Sequence, residues 1–285
     1  MNAVLVLTKL TFREAIRKRV MLAGLILGVL FLIIYSIGLH FIVEQIMMFA
    51  EENGRGEGIT NIVDTEGMNA LLMAGLYAVA FLSIALAALL GADTLAGEIS
   101  SGAIQTIVTK PIRRADVVLG KWLGFAGLLG LYLVFMAGGV ILSMYIQTRY
   151  APDRLLVGLG LIYLEALLIM TITMMCSAAF PALATGGIVF GLYGLAFIGG
   201  WIEQIGAVIQ NDTAVKIGII TSLIIPSESL WRRAAYEMQT PLAGILGVSP
   251  FGASSVPSAL MVAYAVLYLM VALISAIHIF QRRDL

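Results

Sequence analysis

Long apolar runs separated by short polar connections dominate the chain. A hydrocarbon core about 30 Å thick takes roughly 20 apolar residues of helix, and five segments meet that length: 21–43, 70–92, 118–146, 156–178 and 257–280. A sixth, 186–202, is shorter and glycine-rich, but its 17 residues still lie within the spanning range. The pattern predicts an all-α integral membrane protein, with six transmembrane helices in a single domain over 1–285. Between 203 and 256 the longest apolar stretch, 217–225, has nine residues, too few to cross, and fits a re-entrant or interfacial helix in an outer segment before the last span. A seventh crossing there would bring Arg232 and Arg233 inside but push the basic C-terminus outside.

Composition agrees with the pattern. Apolar residues make up 60% of the chain and charged residues 12%, about half the charged share of soluble domains. The 17 basic and 17 acidic residues cancel, so no overall charge marks a nucleic-acid partner, and none is expected. Their placement is more informative. Residues 1–20, the 93–121 connection and the tail carry eleven Lys and Arg, against six in the alternate connections. By the positive-inside rule both termini are cytoplasmic, in a multi-pass protein of the cell's inner (plasma) membrane. The basic N-terminal stretch is too long for a cleaved signal, and the run after it can span, so it is expected to be retained.

Two polar segments invite a function. In 1–20, Lys9, Arg13 and Arg17 fall four apart and share a helix face, with Leu5, Leu10 and Ile16 mostly turned away. Such an elbow helix would lie along the inner membrane surface, its cations on anionic headgroups; a plain basic flank to the first span fits the pattern equally. The 93–121 connection is far longer than two adjoining spans require. Within 94–108, Ala96, Ile99, Ala103 and Ile107 recur at helical spacing, with Glu98, Ser101 and Gln105 on more polar sides. Pro111 ends that helix, and Lys110, Arg113 and Arg114 mark the membrane boundary. From pattern alone, a solvated connector and a helix that docks in a partner's groove both fit.

Residue identity adds to this. The run Gly97-Glu98-Ile99-Ser100-Ser101-Gly102-Ala103-Ile104-Gln105, then Lys110-Pro111-Ile112-Arg113-Arg114 and Leu119-Gly120-Lys121, resembles the permease subunits of type-2 ABC transporters. The basic N-terminus, the six-span plan and the segment before the last span extend the resemblance over most of the chain. It implies an exporter-class permease, paired with a second permease as a homo- or heterodimer and with two cytosolic ABC ATPase subunits, which hold the ATP and Mg. The 94–108 helix would be the coupling helix, with Glu98, Ser101, Gly102, Ile104 and Gln105 as ATPase contacts.

The chain itself encodes no recognisable catalysis. Its nearest approach to a phosphate-binding loop, 115–122, has Ala115 in place of the first Gly and Trp122 in place of the Ser or Thr that holds magnesium. Cys176 stands alone, excluding an internal disulfide, and His40 and His278 fall near opposite membrane faces, so no metal centre or cofactor is expected. No nucleophile-and-base set points to an intramembrane enzyme. Glu165, deep in a span, is a candidate for the translocation path, or else a hydrogen-bonded packing residue. An ion-coupled secondary transporter would usually carry several such groups and related halves; that reading and a non-transporting scaffold are the alternatives. Gly24 with Gly28, Gly120 with Gly124 and Gly187 with Gly191 offer close helix approach, and Trp122, Trp201 and Trp231 read as interfacial anchors. The apolar interior leans toward an amphipathic or lipid-like cargo.

Overall fold

In the computed structural model, which describes residues 3–52, 57–97, 113–152, 154–240 and 255–282, the apolar runs form helices, and no strand occurs among the described residues. The helices are α1 (Ala3–Arg17), α2 (Arg19–Glu52), α3 (Glu57–Ala92), α4 (Arg114–Thr148), α5 (Leu155–Ala179), α6 (Ala182–Val208), α7 (Asp212–Ile224), α8 (Ser227–Met238) and α9 (Ala259–Arg282). Six of them, α2 to α6 and α9, are long and apolar enough to cross a bilayer, so the chain is a multi-pass membrane protein. The helix at 186–202 is longer than its apolar stretch. It runs from Ala182 to Val208, because Pro181 sets an extended residue before its first turn and nothing breaks it until Gln210 turns left-handed, at φ 56°.

Side-chain bonds sort the helix ends onto two faces. On the N-terminal face, Lys18 approaches Asp93, and Arg114 Nη1 donates to the Gln281 carbonyl at 3.1 Å, gathering α1, α3, α4 and α9. On the opposite face, Asn69 Nδ2 donates to the Tyr150 hydroxyl at 2.8 Å and to the Met238 carbonyl at 3.2 Å, joining α3, the α4–α5 connection and the end of α8.

α5 is the inner helix of the bundle, packing on α3, α8 and α9 with Leu168, Ile169, Met170 and Met174 fully buried. α2 lies at the edge, its outward row of Leu22, Ile26, Leu30, Ile33 and Ile37 left to lipid. Between helices in lipid no hydrophobic driving force acts, and small residues set the contact. Gly120 and Gly124 do this for α1: a Cβ at Gly120 would lie 2.6 Å from Leu7 Cβ, and one at Gly124 would lie 3.0 Å from the Thr8 carbonyl. Gly28 meets Met136 and Tyr132, whereas Gly187 and Gly191 face open space.

α7 and α8 form a pair bent by 110° at Ile225-Pro226. α7 starts where α6 ends, with Asn211 Oδ1 accepting from Thr213 N and Ala214 N as an N-cap, and α8 ends beside Asn69, so both ends of the pair sit on the opposite face. A Cβ at Gly218 would overlap Glu203 of α6, which shows how closely the pair packs. An ion pair between Arg232 and Glu203, with 1% and 5% of their side chains exposed, ties α8 to α6. Arg232 Nη2 also donates to Ser222 Oγ at 3.1 Å and Ser229 Oγ at 3.3 Å, and Ser255 Oγ donates to Glu203 Oε1 at 2.7 Å. Trp231, expected as an interfacial anchor, is 1% exposed, its ring 4.9 Å from that of Tyr77, because α8 turns inward onto α3 and α5.

Candidate functional site

The feature with mechanical potential is the turn at which the chain leaves α3 toward residue 98. It spans Asp93 to Leu95 and tightens into helix again at Ala96 and Gly97, with Gly97 N donating to the Asp93 carbonyl at 3.2 Å. Ser177 of α5 holds it. Its Oγ accepts from Leu95 N at 3.2 Å and Ala96 N at 3.0 Å, and donates to the Ala92 carbonyl at 2.9 Å. These amides follow the last turn of α3 and are buried, so without Ser177 they would be unpaired donors at about 1–3 kcal/mol each.

Two cations complete the clamp. Lys121, 5% exposed in the second turn of α4, donates to the Thr94 carbonyl at 3.0 Å. Lys18, in the break between α1 and α2, lies 3.5 Å from Asp93 Oδ2 and 3.6 Å from Glu14 Oε1. That exposed ion pair contributes about 0–1 kcal/mol, so the Ser177 and Lys121 bonds dominate. The turn is thus tied to α5, α4 and the α1–α2 junction, and a displacement of the chain beyond Gly97 would be felt by all of them.

The ATPase-contact candidates Glu98, Ser101, Gly102, Ile104 and Gln105, and the boundary residue Lys110, lie outside the described residues. Lys9, Arg13 and Arg17 are exposed together on one face of α1. A second stripe four residues apart, Leu7, Thr11 and Ala15, is the buried one, packed on Gly120 and Gly124, while Leu5, Leu10 and Ile16 are exposed. Arg113 is exposed, and Arg114 is half-buried against Gln281.

Glu165 is fully enclosed at the eleventh residue of α5, about 15 Å along the helix, and its Oε2 has no hydrogen-bond partner among the described residues. It acts electrostatically with Glu228 of α8 and Tyr193 of α6. The clamp and Glu165 therefore occupy two levels of one helix, α5.

Sequence reading missed Ser177 and the burial of Lys121. Lys121 reads as a flank charge until the turn at Thr94 is folded against it. A serine near the end of a span carries no signal of its own partner, 82 residues away at Leu95.

A family model described as ABC-2 family transporter protein matches residues 5–285. A comparison with curated proteins found no match.

Proposed function

The chain belongs to the ABC-2 transporter family, and from that premise we propose that it is the permease of an exporter whose ATPases act through the 94–108 helix and the clamped turn behind it. Family membership makes it an ABC transporter membrane subunit, the component that lacks the ATPase and associates with ABC ATPase partners. The clamp supports the finer reading. A helix that moved freely against its own bundle would waste the work of a closing ATPase, whereas one whose root is bonded to α4 and α5 passes that work to the spans.

In this reading the N-terminal face is cytoplasmic, Glu98, Ser101, Gly102, Ile104 and Gln105 meet the ATPase, and ATP with Mg is held there, not on this chain. Lys9, Arg13, Arg17, Lys110, Arg113 and Arg114 rest on anionic headgroups. The α7–α8 pair is re-entrant from the outer face, and a second permease, identical or related, completes the path. Glu165, fully enclosed within the bundle, is a packing group at the side of that path.

The test is affinity purification of the tagged chain from its native membrane, wild type beside a Glu98→Ala, Gly102→Trp double variant. Recovery of a cytosolic ATPase with wild type, and much less with the inserted variant, is the expected result. Wild type that retains no ATPase, in a detergent that preserves a reference transporter complex, would overturn it.

A further inference from the structure

Where α7, residues 255–258 and the start of α9 meet, they enclose a cavity of about 440 Å³, within the range of about 300–1,000 Å³ usual for small-molecule sites. Its polar lining is the Arg232–Glu203 pair with Ser222, Ser229, Ser255 and Ser258, and with Tyr264, whose hydroxyl is spent on the Leu223 carbonyl. Its other wall is apolar, built by Ile219, Leu223, Val256, Leu260 and Met261.

Two properties of this cavity select a ligand. The first is its mouth. Leu260 of α9 is 80% exposed, Leu223 of α7 50%, and Val256, in the stretch leading into α9, 43%, so the mouth is apolar and suited to lipid rather than water. The second is the unused bonding capacity of the ion pair. Arg232 Nε and Glu203 Oε2 have no hydrogen-bond partner among the described residues, and Arg232 Nη1 has none beyond its ion pair with Glu203, although both side chains are buried. N–H donors of Arg232 and one carboxylate acceptor of Glu203 thus lie unpaired just behind the cavity wall, in a pair whose charges cancel.

A purely anionic head would be repelled by Glu203, and a purely cationic one by Arg232, which is already committed. A head that is itself uncharged and offers both a donor and an acceptor, such as a hydroxyl, satisfies both. From the mouth, the lining and the open valences we propose that this cavity binds a neutral-headed, hydroxyl-bearing amphiphile, taken laterally from the leaflet on the face opposite the N-terminus. Its head sits on the Arg232–Glu203 pair, and its chain leaves between Leu223 and Leu260. The site goes beyond the permease reading and holds whether the ligand is cargo or a bound lipid.

The experiment uses the full chain with its co-purified partners in phosphatidylcholine nanodiscs, labelled by a diazirine-bearing 1-monoacylglycerol and, separately, by a diazirine alkyl phosphate of equal chain length. Cross-links are mapped by peptide mass spectrometry. The monoacylglycerol is expected to label 219–223 and 256–261 saturably and to be displaced by unlabelled monoacylglycerol. Val256→Trp, which fills the mouth without touching the ion pair, should lower that labelling about tenfold, as should the Arg232→Met, Glu203→Leu double variant, the effect of losing one or two hydrogen bonds.

Any of three results would overturn the proposal: labelling that never saturates and falls equally on the lipid-facing row of α2, an alkyl phosphate that competes as well as the monoacylglycerol, or unchanged saturable labelling in Val256→Trp. Retention of the ATPase is scored in the same preparation, so loss of the permease reading registers separately from loss of the site.

Discussion

The Arg232–Glu203 pair makes a quantitative prediction, because its partners differ in what they can do when stranded. Both side chains are almost fully buried, and the hydroxyls around them bond to them without neutralising either charge. Breaking a buried pair by removing one partner costs about 3–5 kcal/mol, whereas replacing both by apolar groups of similar volume is often neutral or better. The singles are not equal. A carboxylate left alone in Arg232→Met can take a proton and become neutral, while a guanidinium left alone in Glu203→Leu cannot lose its charge. Glu203→Leu is therefore expected at the upper end of the range and Arg232→Met about 1–2 kcal/mol below it, with the double variant within about 1 kcal/mol of wild type. Unfolding by SDS titration in mixed micelles measures this, read by tryptophan fluorescence, since Trp231 is buried against Tyr77 next to the pair. Costs that simply add, with a coupling under about 0.5 kcal/mol, would refute the claim that this pair is a desolvated unit holding α8 to α6.

The other predictions concern the two faces. Gly124→Val puts bulk where the Thr8 carbonyl and Thr11 already sit, so α1 should loosen by the roughly 1–3 kcal/mol of overpacking, read as faster amide exchange across 4–15, while Gly138→Ala, with nothing within 4 Å, changes nothing. Ser177→Ala should raise exchange at Leu95 and Ala96 by about 5- to 150-fold for an opening eased by about 1–3 kcal/mol, and lower transport per ATP hydrolysed with the ATPase still bound. At α8, a hydrogen bond from Arg154 at 2.9 Å, with help from Arg233, holds the Glu237 carboxyl below the usual carboxylate range. Its folded pKa is depressed, so its contribution is full above the unfolded value of about 4.3 and is lost as pH falls through the lower folded value. Exchange at the end of α8 should then rise only below about pH 4, and at higher pH in Arg154→Ala.

Much of this architecture is written in hydropathy alone, because a bilayer forces every backbone group to be satisfied within its own helix and so makes length and apolarity sufficient signals. That is why six spanning helices were legible, and why 217–225 read as too short to cross, although the bend that breaks the segment into α7 and α8 did not show. What was not legible depends on pairing across the bundle. Arg232 looks like an outer-loop cation beside Arg233, but only Arg232 turns inward. It is buried with Glu203, whereas Arg233 stays partly exposed and bonds to Glu237 one turn on. Neighbours in sequence thus take opposite environments according to which face of α8 meets α6. In α1 the basic stripe was visible, but the buried stripe Leu7-Thr11-Ala15 needed the glycines of α4, more than 100 residues away, to give it a groove.

α5 carries the consequence of the whole arrangement. At one end Ser177 bonds the turn behind the expected coupling helix; at the other Gly158 lies against Met238, the last residue of α8, so closely that a Cβ there would overlap its side chain. Between them α5 is continuous from Leu155 to Ala179, with neither proline nor glycine after Gly160 to absorb a bend. A rigid rod fixed at both ends does not attenuate a displacement. If the turn at 93–97 moves, α5 must carry α8 with it, and with α8 moves Arg232, whose partner Glu203 sits on another helix. The cavity beside that pair is therefore where motion begun at the N-terminal face would change a binding surface. Gly158→Leu, which would force Met238 away, should separate the two ends, sparing ATPase binding while abolishing the dependence of cavity labelling on nucleotide. Labelling that still followed nucleotide in that variant would show that the path runs through another helix.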